Sequence, residues 1–567
     1  ESLKNNTTGA NNTAVGYRSL RANTTADYNT GVGVSALTAN TTGERNTAVG
    51  YGAGDAITTG KYNTGVGMSA MGGVTTGEYN TAIGYEALIA ASNTGDNNTA
   101  VGASALFANT TGTNNVAAGV NAASTLVSGD QNVAIGPNTL KGASGSGNYN
   151  IAVGSGALNG CVSSNQNIAI GYNALFTEDA TAYLTAVGSQ AMYKNDGGQY
   201  NTALGLSASY HNVTGDGNTA VGYTALHNNT ASANTAVGKD ALLANTTGAE
   251  NVAVGTNALD ANTTANGHVA VGFDALGVNT TGAENTSVGN SSMQQNTTGS
   301  SNTVVGNQAL KANTTGASNT ALGHKALLAS TTSSNNTGVG KDALRANTTG
   351  AANTAVGANA LDAASTSKWN TAVGYNALGA ATTGDGSNVA VGFGAGDFIT
   401  TGTENVIIGK GSNPNNHATS SKQYVFGTGL VGKGNDTAFI GGSNGAYQED
   451  NNSSWTTTSD QRIKKNIVNN NTGLAILNQV QVKNYEYKTE DEIKADSPEL
   501  TDVAKSAVVN KTGTQLGVIA QELETVLGSA VTTNSDGIKT LQTDELFWHM
   551  LNAIKELSAK VTALEKG

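Results

Sequence analysis

The sequence predicts a mainly β protein: a β-solenoid shaft (β-roll) built on a 17-residue repeat and trimeric, followed by a small α+β domain that ends in a coiled-coil helix. Three observations lead there. The string Asn-Thr-Ala-Val-Gly and its close variants recur 24 times from Gly16 to Gly409, and the spacing never departs from 17 by more than one residue. Glycine fills 74 of the 567 positions, only 12% of residues are charged and 5% are aromatic. Charge is also unevenly spread, since residues 459–567 hold 27 of the 68 charged side chains and residues 1–458 the other 41. Such a shift separates a long neutral array from a conventionally globular tail.

Seventeen residues are too few for a helix pair, and Thr, Val and Gly are poor helix formers, so each unit reads as one solenoid coil. The residue before the terminal Gly is aliphatic in every copy, from Val15 and Val32 to Ile408, with Ala118 the weakest case. The residue four after that Gly is Leu or Met in 19 of 24 copies, such as Leu20, Leu37, Leu88 and Leu106. These are two apolar stations per coil. Strand alternation groups Thr with Val and Asn with Ala, and the expectation is that Val is buried beside Thr. The Ala-Asn-Thr-Thr-Gly segment between the stations reads as a corner, with Asn bonding its own backbone and Gly accepting positive φ. Stacked at about 4.8 Å, the coils predict a rod of about 110 Å, with like Asn and Thr side chains forming ladders along it. The interior is so thin that one chain is expected to need copies of itself, most simply two.

Composition excludes several functions. A net charge of −12 argues against a nucleic-acid partner held by phosphate neutralisation. The single Cys, Cys161, allows neither an internal disulfide nor a zinc site. The six His (211, 227, 268, 324, 417 and 549) stand apart in sequence, and neither metal nor cofactor is expected. No apolar run approaches 18 residues, so no membrane insertion is expected. Glu1-Ser2-Leu3-Lys4 shows neither an initiator Met nor a signal-peptide pattern, and the natural N-terminus is expected upstream.

The repeats resemble those of phage tail-fibre shafts and, more loosely, the head repeats of trimeric autotransporter adhesins over about residues 10–412. The domains read as a shaft (1–410), a β-rich neck and linker (411–458) containing Tyr424-Val425-Phe426 and Thr437-Ala438-Phe439-Ile440, and a last domain from 459 to 567. That domain carries Ser459-Asp460-Gln461-Arg462-Ile463-Lys464, Gly517-Val518-Ile519-Ala520-Gln521-Glu522-Leu523-Glu524 and a terminal helix. In that order they are similar to the C-terminal intramolecular chaperone of endosialidases and other phage tail spikes and fibres. Leu527-Gly528 departs from the family's pattern, which carries Pro there.

The resemblance implies a domain that trimerises first, templates the β-structure upstream and in many members cuts itself off. Ser459 supplies a hydroxyl nucleophile, and Lys464 is the base if burial lowers its pKa, with Lys465 competing for that role. Attack on the preceding carbonyl breaks Thr458–Ser459, and Asp460 and Arg462 orient the loop. Without the family, Ser-Asp ahead of an apolar-periodic segment reads as a helix N-cap.

The terminal helix (about 544–566) adds a separate signal. Phe547, Met550, Ile554, Leu557, Val561 and Leu564 follow one another in steps of 3, 4, 3, 4 and 3, the a/d seam of a parallel coiled coil. The other reading is an amphipathic helix packed on its own domain. Together these signals point to a virion protein: a homotrimeric phage tail fibre expected to meet a glycan receptor on the host surface and to join other tail proteins through its missing N-terminus. The alternative is an extracellular trimeric bacterial adhesin. A polysaccharide depolymerase ranks lower, because Glu44, Glu78, Glu250, Glu284 and Glu404 recur singly rather than as carboxylate pairs.

Overall fold

Each repeat closes as one coil of a parallel β-solenoid. The structure, a computed structural model, describes residues 1–142, 145–160, 163–177, 183–383, 385–416, 418–441, 466–496, 512–533 and 537–566. Two compact units divide the chain, Glu1–Ser334 and Asn335–Gly567. The first carries three-residue strands from β1 (Thr13–Val15) to β19 (Thr320–Leu322). Each pairs in parallel with the next at unshifted register, so Thr47 lies beside Thr64 and Val49 beside Val66. The second unit carries β20 (Thr337–Val339) to β26 (Ala438–Ile440) paired in the same way, and then an α+β region.

The strand faces are the reverse of the sequence expectation. Ala48 is fully buried while Val49 is 37% exposed, and the same holds at Ala82 and Ile83 and at Ala355 and Val356. The Asn before each strand explains the inversion. The Asn46 N–H donates to Asn29 Oδ1 at 2.9 Å, and Asn46 Nδ2 donates to the Gly60 carbonyl at 2.8 Å. That amide must therefore lie inside, where its two ends satisfy backbone groups that water does not reach. Strand alternation then carries Ala inward with Asn and turns Thr and Val outward. The second apolar station is interior as expected, with Leu20, Leu37, Leu88 and Leu106 fully buried. The Asn ladder also fixes register, since a one-residue slip would exchange the two faces.

A second ladder runs through the corners. Asn40 Nδ2 donates to Asn23 Oδ1 at 2.9 Å and to the Gly43 carbonyl at 3.0 Å, and Thr41 Oγ1 donates to the Thr58 carbonyl at 3.1 Å. The expected Asn and Thr ladders are thus present. The expected reason for the corner Gly is wrong, because Gly43 is not in the left-handed region. A Cβ there would collide with the Gly60 carbonyl oxygen of the next coil, so close approach excludes a side chain. Left-handed backbone occurs instead at residues such as Ser35 (φ 62°) and Leu37 (φ 52°). It costs on the order of 1 kcal/mol each, and Leu37 is held there by burial and by its N–H bond to the Ala53 carbonyl at 3.0 Å.

The parallel ladder outlasts the recognisable repeat. Beyond β24 (Val406–Ile408), β25 (Tyr424–Phe426) and β26 add on in the same register. Gln423 takes the place of the ladder Asn, its N–H donating to Asn405 Oδ1 at 3.0 Å, and Val425 is fully buried where Ala usually stands. A polar side chain that receives the ladder and an apolar one that turns inward suffice, even without Asn-Thr-Ala-Val-Gly.

In the α+β region, α1 (Leu474–Leu477) leads to β27 (Lys483–Tyr485), which pairs antiparallel with β28 (Gln515–Gly517). Helix α2 (Glu490–Asp496) precedes β28, and α3 (Ala520–Val526) follows it. A 3-10 turn (Gly528–Ala530) feeds β29 (Val531–Thr533), antiparallel to β30 (Lys539–Leu541), and α4 (Thr543–Glu565) closes the chain. Leu523, Leu527 and Ala530 form its core, with Ile476, Val480, Val518, Val531, Leu541 and Leu546 packed around them. Leu527-Gly528, where the resemblance leads one to expect Pro, thus supplies a core side chain and a tight turn.

Candidate assembly site

Helix α4 presents two different edges. On one, Ala553 and His549 are buried, His549 Nδ1 lies 2.9 Å from the Thr472 carbonyl, and Asn552 Nδ2 donates to the Asn470 carbonyl at 2.8 Å. This edge docks the helix on α1, and no Cβ fits at Gly473, whose space the Ala553 backbone takes. On the other, Phe547, Met550, Ile554, Leu557, Val561 and Leu564 are all exposed. The 3-4 spaced residues are therefore not the ones by which α4 packs on its own domain; that task falls to Leu546, His549 and Ala553. Sequence reading missed this docking edge because a histidine and an alanine carry little hydropathy signal.

The segment Gly517–Glu524 is placed by this core. Glu522 on α3 pairs with Lys483 on β27, and Lys539 Nζ meets Glu524 Oε1 at 2.7 Å. Val518 and Leu523 point into the cluster below. Thr458, Ser459, Asp460, Arg462, Lys464 and Lys465 lie outside the described residues, as do Cys161 and His417.

The solenoid carries a second kind of surface. Phe176, Tyr193, Tyr210 and His227 stack one per coil with centroids 5.0 to 5.1 Å apart. The coil period thus brings together aromatic residues that are seventeen apart in sequence. It also joins two of the histidines read as isolated, His211 and His227, at 5.4 Å. Burial, and then the charge of Lys194, lowers the pKa of His211, which keeps the ring neutral at pH 7. Rings stacked along the axis cover one another's faces, so the middle of the stack offers edges and no open face for a sugar.

The recurring glutamates stand singly. Glu44 faces Lys61 at 3.8 Å, and Glu284 accepts from the Ser301 hydroxyl at 3.5 Å. Among the described residues no group of three His, Cys, Asp or Glu is placed to hold a metal ion, and no helix is long and apolar enough to cross a membrane.

Residues 459–532 match the family described as the chaperone of endosialidase. The chain therefore carries an endosialidase-chaperone domain behind a β-solenoid region. The match begins at Ser459 and ends inside β29, so α4 and its exposed seam lie beyond it. No curated protein matches the chain.

Proposed function

We propose that the protein is the shaft of a phage tail fibre, a homotrimer that meets a glycan on the host surface, and that its C-terminal domain assembles it and then cuts itself free. The observation that carries this reading is a chaperone domain of the kind typical of phage tail fibres and spikes following a long solenoid. The exposed seam of α4 supports it, because a parallel coiled coil holds three C-termini in register before the coils above must find theirs. Prior association lowers the entropic cost of registering many near-identical coils.

In the proposed cleavage, Ser459 Oγ attacks the Thr458 carbonyl while Lys464 takes the hydroxyl proton. The Ser459 amine leaves, and water hydrolyses the resulting ester. Intact-mass analysis of the purified protein tests this. The expected result is a fragment beginning at Ser459 that disappears in Ser459→Ala; a single full-length mass for the unaltered protein refutes cleavage.

The seam has its own test. Ile554 and Leu557 are more than half exposed within one chain and lie outside its core, so Ile554→Asp with Leu557→Asp removes little intrachain packing. Light scattering is expected to show loss of the trimer while the helical circular dichroism of refolded α4 is retained. A variant that assembles with the same mass and yield would eliminate the seam as the nucleus.

A further inference from the structure

The outward face of the solenoid strands is chemically uniform. Its two columns are the first and third residues of each strand, Thr or a β-branched aliphatic at the first in nearly every coil and Val, Ile or Leu at the third in all but Ala118 and Phe426. No charged residue stands in either column, from β1 to β19 in the first unit or from β20 to β26 in the second. Val15, Ile83, Ile135, Leu204, Val305 and Ile408 are exposed on it. Tyr17, Tyr51, Tyr85, Tyr172 and Tyr223, each just after the terminal Gly, are exposed alongside, and Lys239, Lys341 and Lys410 hold that flanking position in three other coils. A charge-free strip that sets an exposed aliphatic side chain beside Thr on coil after coil exceeds what a monomeric protein leaves in water.

We infer that in each unit this Thr/Val strand face is the surface on which two further copies of the same chain pack, third-position side chains of equivalent coils meeting in layers around a shared three-fold axis. This rests on the homotrimeric reading above and adds to it the surface used. The period of the face selects its occupant. A partner that covers it coil for coil must carry apolar groups at the strand-to-strand spacing over many steps, and a second copy of this chain carries that period. The two columns themselves are neutral and self-compatible, so three copies meet along them under rotation without opposing like charges, with the few post-Gly lysines at the flank. The seam of α4 specifies parallel association, which sets equivalent coils at one level.

Disulfide cross-linking of the full chain in a Cys161→Ser background tests the surface. Val305→Cys and Val356→Cys each place a thiol on the face, one in each unit; Thr315→Cys and Thr349→Cys place one on exposed corners. The expected result is a particle of trimer mass in which the two Val positions form covalent dimers at least tenfold faster than the two Thr positions. A trimer in which the Val positions link no faster than the Thr positions overturns this surface and leaves the trimeric reading standing. A folded protein of monomer mass before any substitution overturns both.

Discussion

Replacing Gly238 with alanine is expected to break the solenoid locally, at a cost of about 4 kcal/mol. Gly238 ends its strand at φ +137°, a region that side chains rarely enter. A Cβ built there sits 2.5 Å from the carbonyl oxygen and 2.6 Å from the carbonyl carbon of Gly255 on the next coil. The backbone strain is worth about 1–3 kcal/mol and the overlap about as much again. Neither relaxes alone, because the Gly238 N–H donates to the Val221 carbonyl at 2.7 Å and the Gly255 N–H to the Val237 carbonyl at 2.7 Å. Gly217→Ala is the control: its φ is +64° and nothing lies within 4 Å of the added methyl, so only about 1 kcal/mol of strain is expected.

A repeat array need not unfold in one step, so a melting temperature is a poor readout. Hydrogen exchange resolves the coil. The amides of Gly238 and Gly255 are expected to exchange several hundredfold faster in Gly238→Ala, and less than tenfold faster in Gly217→Ala. Equal protection in the two variants would refute the claim that coil contact, rather than φ alone, demands glycine.

The period, the Leu station and the corners were legible in the sequence because each is repeated, and repetition averages out substitutions at any one coil. Leu37 reads as interior, and it is. The sense of the strand was not legible, for a physical reason. Hydropathy ranks Val49 above Ala48 and Asn46, yet the amide of Asn46 satisfies two backbone groups inside the coil, and alternation then leaves Val49 outside. Only the hydrogen bonds decide it. The strand at Tyr424–Phe426 was recognised as β, but its place in the same ladder depends on Gln423 substituting for Asn, which no string comparison reveals. In the C-terminal domain the 3-4 spacing singled out residues that form the exposed edge of α4, while the docking edge at His549 and Ala553 had no comparable signal. Ser459 and Lys464 rest on the family match, not on geometry.

Acid is expected to weaken the solenoid at one identifiable coil. His268 occupies a ladder position where most coils carry Asn, and it is fully buried. Its ring reproduces both ends of the amide. Nδ1 accepts the Asn285 N–H at 3.2 Å, as Asn Oδ1 does in other coils, while Nε2 lies 3.2 Å from Asn279 Nδ2, which itself donates to Asn262 Oδ1 and the Gly282 carbonyl, and shares that Gly282 carbonyl, the partner Asn Nδ2 would have. Only the neutral ring with its proton on Nε2 fits, since a proton on Nδ1 would oppose the Asn285 N–H. Burial lowers its pKa from 6.5 to about 4.

The sign follows from proton uptake. Between those values the unfolded coil binds a proton that the folded coil refuses, so stability is complete above pH 6.5 and falls as the pH drops toward 4. The full loss is about 3 kcal/mol. His268→Asn restores the common ladder residue and removes the titration. At pH 7 the two proteins are expected to protect the Asn285 amide to within tenfold of each other; at pH 4.5 the wild type should lose at least twentyfold relative to His268→Asn. A ratio that does not change with pH would show that His268 is not the group through which acid acts on this coil.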